Sequence, residues 1–204
     1  MTLGCEVDVW LVRLDEEGEW LPPLAAEWER AERLRQLDGR RRYLRSHAAL
    51  RSVLGRYTEV PLELIAGEHG KPYLSSSPEL MFNLSHSAER ALIAVARDIE
   101  VGVDIERLRP LQQYLSIAER FFPPAAFQAL TELPDEGRES AFFRSWTFIE
   151  AKLKARGIGL YGAGTELDGE WSVAPVEVDP GYVGAVAVNR SGVQVRVHRF
   201  QPKV

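Results

Sequence analysis

Residues 80–106 read LMFNLSHSAERALIAVARDIEVGVDIE, and this stretch decides the architecture. It holds three runs of strand length, Leu80–Leu84, Ala91–Ala96 and Glu100–Glu106, with the polar stretch Ser85–Arg90 joining the first two. Short runs rich in aliphatic and β-branched residues predict strands rather than helices. The all-apolar run Ala91–Ala96 is far too short for a membrane span. In the third run Asp104 and Glu106 are two residues apart. Both carboxylates therefore stand on one face of the strand, while Val103 and Ile105 take the other, core face.

Outward from this segment the periods change. Upstream, Val7, Val9 and Leu11 alternate and predict a first strand. Leu24–Leu37 and Arg40–Tyr57 read as helices parted by Asp38-Gly39, and Gly67–Ser77 as a turn-rich loop. Downstream, Pro110 closes the third strand. Gln112–Phe121 and Pro124–Leu130 read as helices, with Pro123-Pro124 placed where a helix can start. Ser140–Arg156 is the clearest helix. Phe142, Trp146, Ile149 and Leu153 fall on one apolar stripe, and Gly157 sits where a C-cap belongs. Trp171–Val178, Tyr182–Val188 and the alternating Val193, Val195 and Val197 predict closing strands. Helices followed by strands in each half indicate an α+β chain.

Composition sets limits. A length of 204 residues fits one domain or two small lobes, and 45% hydrophobic residues can fill a core. The net charge of −5 argues against a basic nucleic-acid binder. That total hides nine arginines between Arg30 and Arg56, against only Glu32 and Asp38, a local charge of +7. Such a segment suits a small polyanion or an acidic partner; a solvated arginine-rich helix is the alternative. A single cysteine, Cys5, excludes a disulfide framework and any multi-cysteine metal site. Glu6 and Asp8 near the start, with no apolar h-region, predict no signal peptide and a cytoplasmic protein.

Candidate chemistry lies in four places. Two carboxylates side by side at Asp104 and Glu106 repel unless a cation joins them, and all-oxygen ligands suit Mg²⁺; an exposed strand edge with two solvated acids is the alternative. Glu150 and Lys154, four apart, share a helix face. They read either as a third metal carboxylate with a phosphate-directed cation, or as an ordinary surface ion pair. Ser85 and His86, delivered by a strand into a turn, can hold phosphate oxygens or bind their own backbone. Lys71 stands on the Gly70-Lys71-Pro72 turn. The glycine pattern of residues 157–162 fits GxGxxG but follows a helix rather than a strand, so it is no dinucleotide site. There is no GxxxxGK[ST] and no GxSxG.

Gly70-Lys71-Pro72, Asn83-Leu84-Ser85-His86-Ser87, Val101-Gly102-Val103-Asp104-Ile105-Glu106 and Trp146-Thr147-x-x-Glu150-Ala151-x-x-Lys154 occur once each, in that order. Together they resemble the 4′-phosphopantetheinyl transferases, in particular the two-lobed, single-chain type that primes carrier proteins of peptide and polyketide synthases. The resemblance runs from Arg35 to Leu160, and its two acidic motifs are the specific part. It implies two similar α/β lobes, residues 1–100 and 101–204, in a pseudo-two-fold arrangement with coenzyme A in the cleft between them. A monomer is expected, with no nucleic-acid or membrane partner. The implied reaction is attack of a carrier-protein serine on the β-phosphate of coenzyme A, moving 4′-phosphopantetheine to an apo acyl or peptidyl carrier protein and releasing 3′,5′-ADP. This is holo-[acyl-carrier-protein] synthase chemistry.

Carried over by residue, the resemblance implies Asp104, Glu106 and Glu150 as Mg²⁺ ligands and Lys154 as the lysine beside the pyrophosphate. Ser85 and His86 match phosphate contacts, His86 near the 3′-phosphate. Lys71 and Pro72 match the loop bordering adenine and ribose. Arg42, with Arg35 as a further candidate, is assigned to the 3′-phosphate. Glu150, directly or through a water, is the expected base. One departure stands out: the family usually has lysine directly before that glutamate, and here it is Ile149, which fits the apolar stripe. A non-catalytic coenzyme A or carrier-protein binder is the alternative function.

Overall fold

The computed structural model describes residues 6–67, 70–159 and 171–203. Cys5 and the later part of the 157–162 glycine pattern lie outside the described residues. The first sheet is built of four of the described strands. Strand β1 (Glu6–Arg13) pairs antiparallel with β5 (Arg90–Arg97), which forms a hairpin with β4 (Leu80–Ser87). Strand β9 (Gln194–Arg199), from the far end of the chain, lies parallel to β1. A second sheet has β6 (Val101–Arg107) and β7 (Ser172–Val176) on either side of β8 (Tyr182–Val188). A small antiparallel pair joins β2 (Leu64–Ala66) to β3 (Pro72–Leu74), so that a strand begins within the expected Gly67–Ser77 loop.

The continuous apolar run of residues 91–96 is explained by burial on both faces. Ala91, Ile93 and Val95 join Trp10, Val12, Leu50 and Val53 beneath helix α2 (Leu37–Leu54). Leu92, Ala94 and Ala96 face the other way, onto Val101, Val103, Ile105 and Val186 of the second sheet. Each sheet thus covers the other. On the outer face of the second sheet lies helix α5 (Asp135–Arg156), with Ala151 and Ala155 against Ala185 and Ala187. Contact is backbone-close: a Cβ on Gly102 would stand 2.2 Å from the Ala151 carbonyl oxygen. Glycine is the only residue that fits there. Helices α3 (Tyr114–Phe121) and α4 (Pro124–Thr131) pack on α5 through Phe122, stacked on Phe142 at 5.5 Å.

Some boundaries differ from the sequence expectation. Helix α1 covers only Ala25–Glu32, and Asp38-Gly39 begins α2 instead of separating two helices. Asp38 in a first helical turn is favoured by the helix dipole, which outweighs the breaking tendency of Gly39. The hairpin turn is Ala88-Glu89, so Ser85 and His86 lie in β4 rather than in a turn. Helix α5 begins earlier than expected, but Gly137 at φ 86° kinks its first turn; Gly157 ends it in the left-handed conformation at φ 70°. Among the described residues no helix is long and apolar enough to cross a membrane.

Candidate active site

Strands β4 and β6 are edges of different sheets and meet along a seam held by side chains. Positions 83, 85 and 87 alternate with Leu84 and His86, so all three point to one side of β4. Asn83 Oδ1 accepts the Val103 N–H at 3.0 Å. Ser85 Oγ donates to Asp104 Oδ1 at 2.8 Å. Ser87 Oγ donates to Glu106 Oε2 at 2.7 Å. The acidic pair of β6 is therefore set by the polar comb of β4, while Leu84 turns into the core under α2.

Helix α5 brings Lys154 to the same place. Its Nζ lies 2.5 Å from Asp104 Oδ1 and donates to Ser85 Oγ at 2.9 Å. Asp104 is 4% exposed, and its buried Oδ2 has no hydrogen-bond partner among the described residues. Burial pushes the Asp104 pKa up against the opposing pull of Lys154 and Ser85, with Glu106 adding to the rise. Glu150, one turn before Lys154, is also raised, first by burial. Lys154 opposes that shift, and the Asp104 and Glu106 carboxylates increase it. Asp104, Glu106, Glu150 and Lys154 thus share one electrostatic neighbourhood.

Among the described residues no three His, Cys, Asp or Glu side chains are gathered closely enough to make a metal centre. The Lys154 ammonium neutralises Asp104, and Arg109 pairs with Glu106. The orphaned Asp104 Oδ2 and an all-oxygen donor set nevertheless fit a hard divalent cation.

The other face of β4 turns toward α2. Desolvation, then the charges of His47, Lys154 and Arg42, hold the His86 imidazole below its ordinary pKa. This is a locally positive environment suited to an anion. Arg42 pairs with Glu89 of the β4–β5 turn, and its buried Nε has no partner among the described residues. Three of the nine arginines of the segment are taken up within the protein. Arg51 forks onto Glu27 at 3.0 and 3.1 Å, Arg45 donates to the Leu14 carbonyl, and Arg56 lies over Trp10. Neither the ligand-facing nor the solvated reading of the segment covers these three, because the sequence records charge but not the carbonyls and rings that consume it. Arg35 is exposed on the α1–α2 link.

Lys71 is held at the C-terminal end of α5, where Nζ donates to the Ala155 carbonyl at 2.5 Å and pairs with Glu100 at 2.7 Å. Free carbonyls and the negative helix end favour a cation there. Lys71 and Pro72 line a groove of about 220 Å³ with Lys154 and Gly157. Ile149 is half-buried against the Phe142–Phe143 cluster. Sequence reasoning missed the roles of Asn83, Ser87 and Arg109, the last 3.3 Å from Glu106 Oε2. The period-two spacing of Asn83, Ser85 and Ser87 was the available signal.

Comparison with known proteins points the same way. Residues 100–197 match the family described as the 4′-phosphopantetheinyl transferase superfamily. The 4′-phosphopantetheinyl transferase HetI of Nostoc sp. is 37% identical over 97% of this chain and 94% of its own length. The 4′-phosphopantetheinyl transferase psf-1 of Bacillus pumilus is 39% identical over 71% of this chain and 63% of its own. The 4′-phosphopantetheinyl transferase ffp of Bacillus subtilis is 30% identical over 81% and 82%.

Proposed function

The chain belongs to the 4′-phosphopantetheinyl transferase superfamily, and from that premise we propose that it transfers 4′-phosphopantetheine from coenzyme A to a serine of an apo acyl or peptidyl carrier protein. The serine oxygen bonds to the β-phosphorus, the bond to the α-phosphate breaks, and 3′,5′-ADP leaves. One observation carries the reading: a buried aspartate, held by Ser85 and Lys154 at the seam of two sheets, keeps one oxygen without a partner among the described residues.

Asp104, Glu106 and Glu150 are the residues that would hold Mg²⁺, which supplies neutralisation of pyrophosphate charge when bound. The chain's own groups do the rest. Lys154 offsets charge on the departing phosphate, the dominant need in phosphoryl transfer. Glu150, whose raised pKa brings it nearer neutrality, takes the serine proton. His86 and Arg42 face the 3′-phosphate from the α2 side, and Lys71 with Pro72 walls the groove for the nucleoside. Ser85 acts here by fixing Asp104 and Lys154. The holo-acyl-carrier-protein synthase type, a cytoplasmic location and a monomer belong to the same proposal. So does a division into two lobes near residue 100, with β9 built into the first sheet.

Purified protein incubated with coenzyme A, Mg²⁺ and an apo carrier protein is expected to add the mass of one phosphopantetheine to the carrier. Binding of coenzyme A with no mass gain on apo carriers from several pathways would overturn the proposal.

A further inference from the structure

The β4–β6 seam repeats one arrangement twice. At Asp104, a β4 serine and a cation share a single oxygen: Ser85 Oγ at 2.8 Å and Lys154 Nζ at 2.5 Å, both on Oδ1. At Glu106, the next inward-facing serine and a second cation again share one oxygen: Ser87 Oγ at 2.7 Å and Arg109 at 3.3 Å, both on Oε2. The serines are fixed alike. Ser85 Oγ accepts from Lys154 at 2.9 Å, and Ser87 Oγ accepts the Arg107 backbone N–H at 3.2 Å. A hydroxyl has one proton. With its acceptor side engaged by Arg107, Ser87 directs that proton to Glu106. The backbone bond also ties the serine to the strand that carries the carboxylate.

We infer that Ser87 is a positioning residue for Glu106: it locks one carboxylate oxygen so that the other is available to a divalent cation shared with Asp104. The inference rests on the functional reading above. A long carboxylate side chain left to rotate must be ordered when the cation binds. A side chain already held by a hydroxyl avoids that cost, and partners of this kind typically change metal affinity 10–100-fold. Arg109 is half-exposed and also lies over Phe143 at 5.4 Å, so it fixes Glu106 while being itself held in place.

The test is calorimetric titration of Mg²⁺ into protein saturated with coenzyme A, without carrier protein, alongside transfer rate against Mg²⁺ concentration. Ser87→Ala is expected to weaken Mg²⁺ binding about 10-fold. The transfer rate at saturating Mg²⁺ should stay near that of the wild type, and the melting temperature should fall by no more than about 2–4 °C, the equivalent of one lost hydrogen bond. Ser87→Thr keeps the hydroxyl and should restore the affinity; Ser87→Val, matched to it in shape, should not. That pair carries the comparison if the alanine variant folds poorly. Wild-type affinity in Ser87→Ala or Ser87→Val, beside a wild type that binds Mg²⁺ and transfers, overturns the positioning role alone. A wild type that neither binds Mg²⁺ nor transfers overturns the functional reading, and this inference with it.

Discussion

Two buried aspartates occupy opposite situations in this protein. Asp179, on the loop before β8, meets Arg13 and Arg90 at Oδ2 (3.0 and 2.6 Å) and Arg199 at Oδ1 (3.0 Å). Both oxygens are satisfied. Burial works against the charge, but the three arginines overcome it and hold the carboxyl well below the usual carboxylate range. Asp104 has a single lysine and one serine on the same oxygen, and burial wins, pushing its pKa up. Asp179 ties the second sheet's β7–β8 connection to strands β1, β5 and β9 of the first. Among the described residues Asp104 ties nothing with its second oxygen. A fully paired buried charge serves the fold; a buried charge left half-paired is stabilised only when something else arrives.

The sharpest break of this contrast is Lys154→Ala. It removes the cation that pairs with Asp104 among the described residues, so transfer should fall about 10²–10³-fold, as for other lost charge-stabilising groups. Steady-state rates check this. Next comes Asp179→Asn. Two of its arginines are exposed, so the loss should be about 1–3 kcal/mol, lowering the melting temperature by about 3–8 °C. The transfer rate per folded molecule should stay within about twofold, because Asp179 lies outside the reacting groups. If Asp179→Asn were the less active and Lys154→Ala the less stable variant, the assignment of roles would be reversed.

The smallest effect is on the pH dependence of stability. Asp104 and Glu150 have folded-state pKa values above their unfolded ones, so the folded protein binds more protons and lowering pH toward those values favours folding. Asp179 and Asp8 have folded values below their unfolded ones, and their contribution is present above an unfolded pKa of about 4 and lost beneath it. His86 and His47, held below their ordinary value by burial, work the other way as pH falls through the imidazole range. Melting temperature should therefore change little between about pH 7 and 5, then drop below about 4 as the Asp179 and Asp8 contribution is lost. Asp104→Asn removes one side of that balance and should turn the neutral limb downward on acidification while leaving the acid drop intact. Thermal melts across that range check both limbs.

Much of this was readable in the residues. The strands at 80–106 announced themselves by length and composition, and Ile149 by its place on the stripe with Phe142 and Trp146. Asp104 and Glu106 were found because a strand's period is two. What escaped reading was set by tertiary structure. The pairing of β9 with β1 joins the two ends of the chain, which no local pattern encodes. Arg51, Arg45 and Arg56 belonged to a segment readable as ligand-facing or as solvated charge, and their actual partners, Glu27, a backbone carbonyl and Trp10, come from other elements. That the Lys71 ammonium reaches the end of α5 could not be read from its turn alone, because Ala155 lies far along the chain. Ser87 was passed over because a serine beside a turn is common, and its partner lies on another sheet.

The most direct measurement compares wild type with Asp104→Asn, which keeps the side chain's size and removes its charge. Each is incubated with coenzyme A, Mg²⁺ and an apo carrier protein, and the intact carrier mass is followed over time. The wild type should convert the carrier to its phosphopantetheine-bearing form, while Asp104→Asn, folded by circular dichroism, leaves it unmodified. Conversion by Asp104→Asn at the wild-type rate would contradict the assignment of Asp104 as the centre of the site.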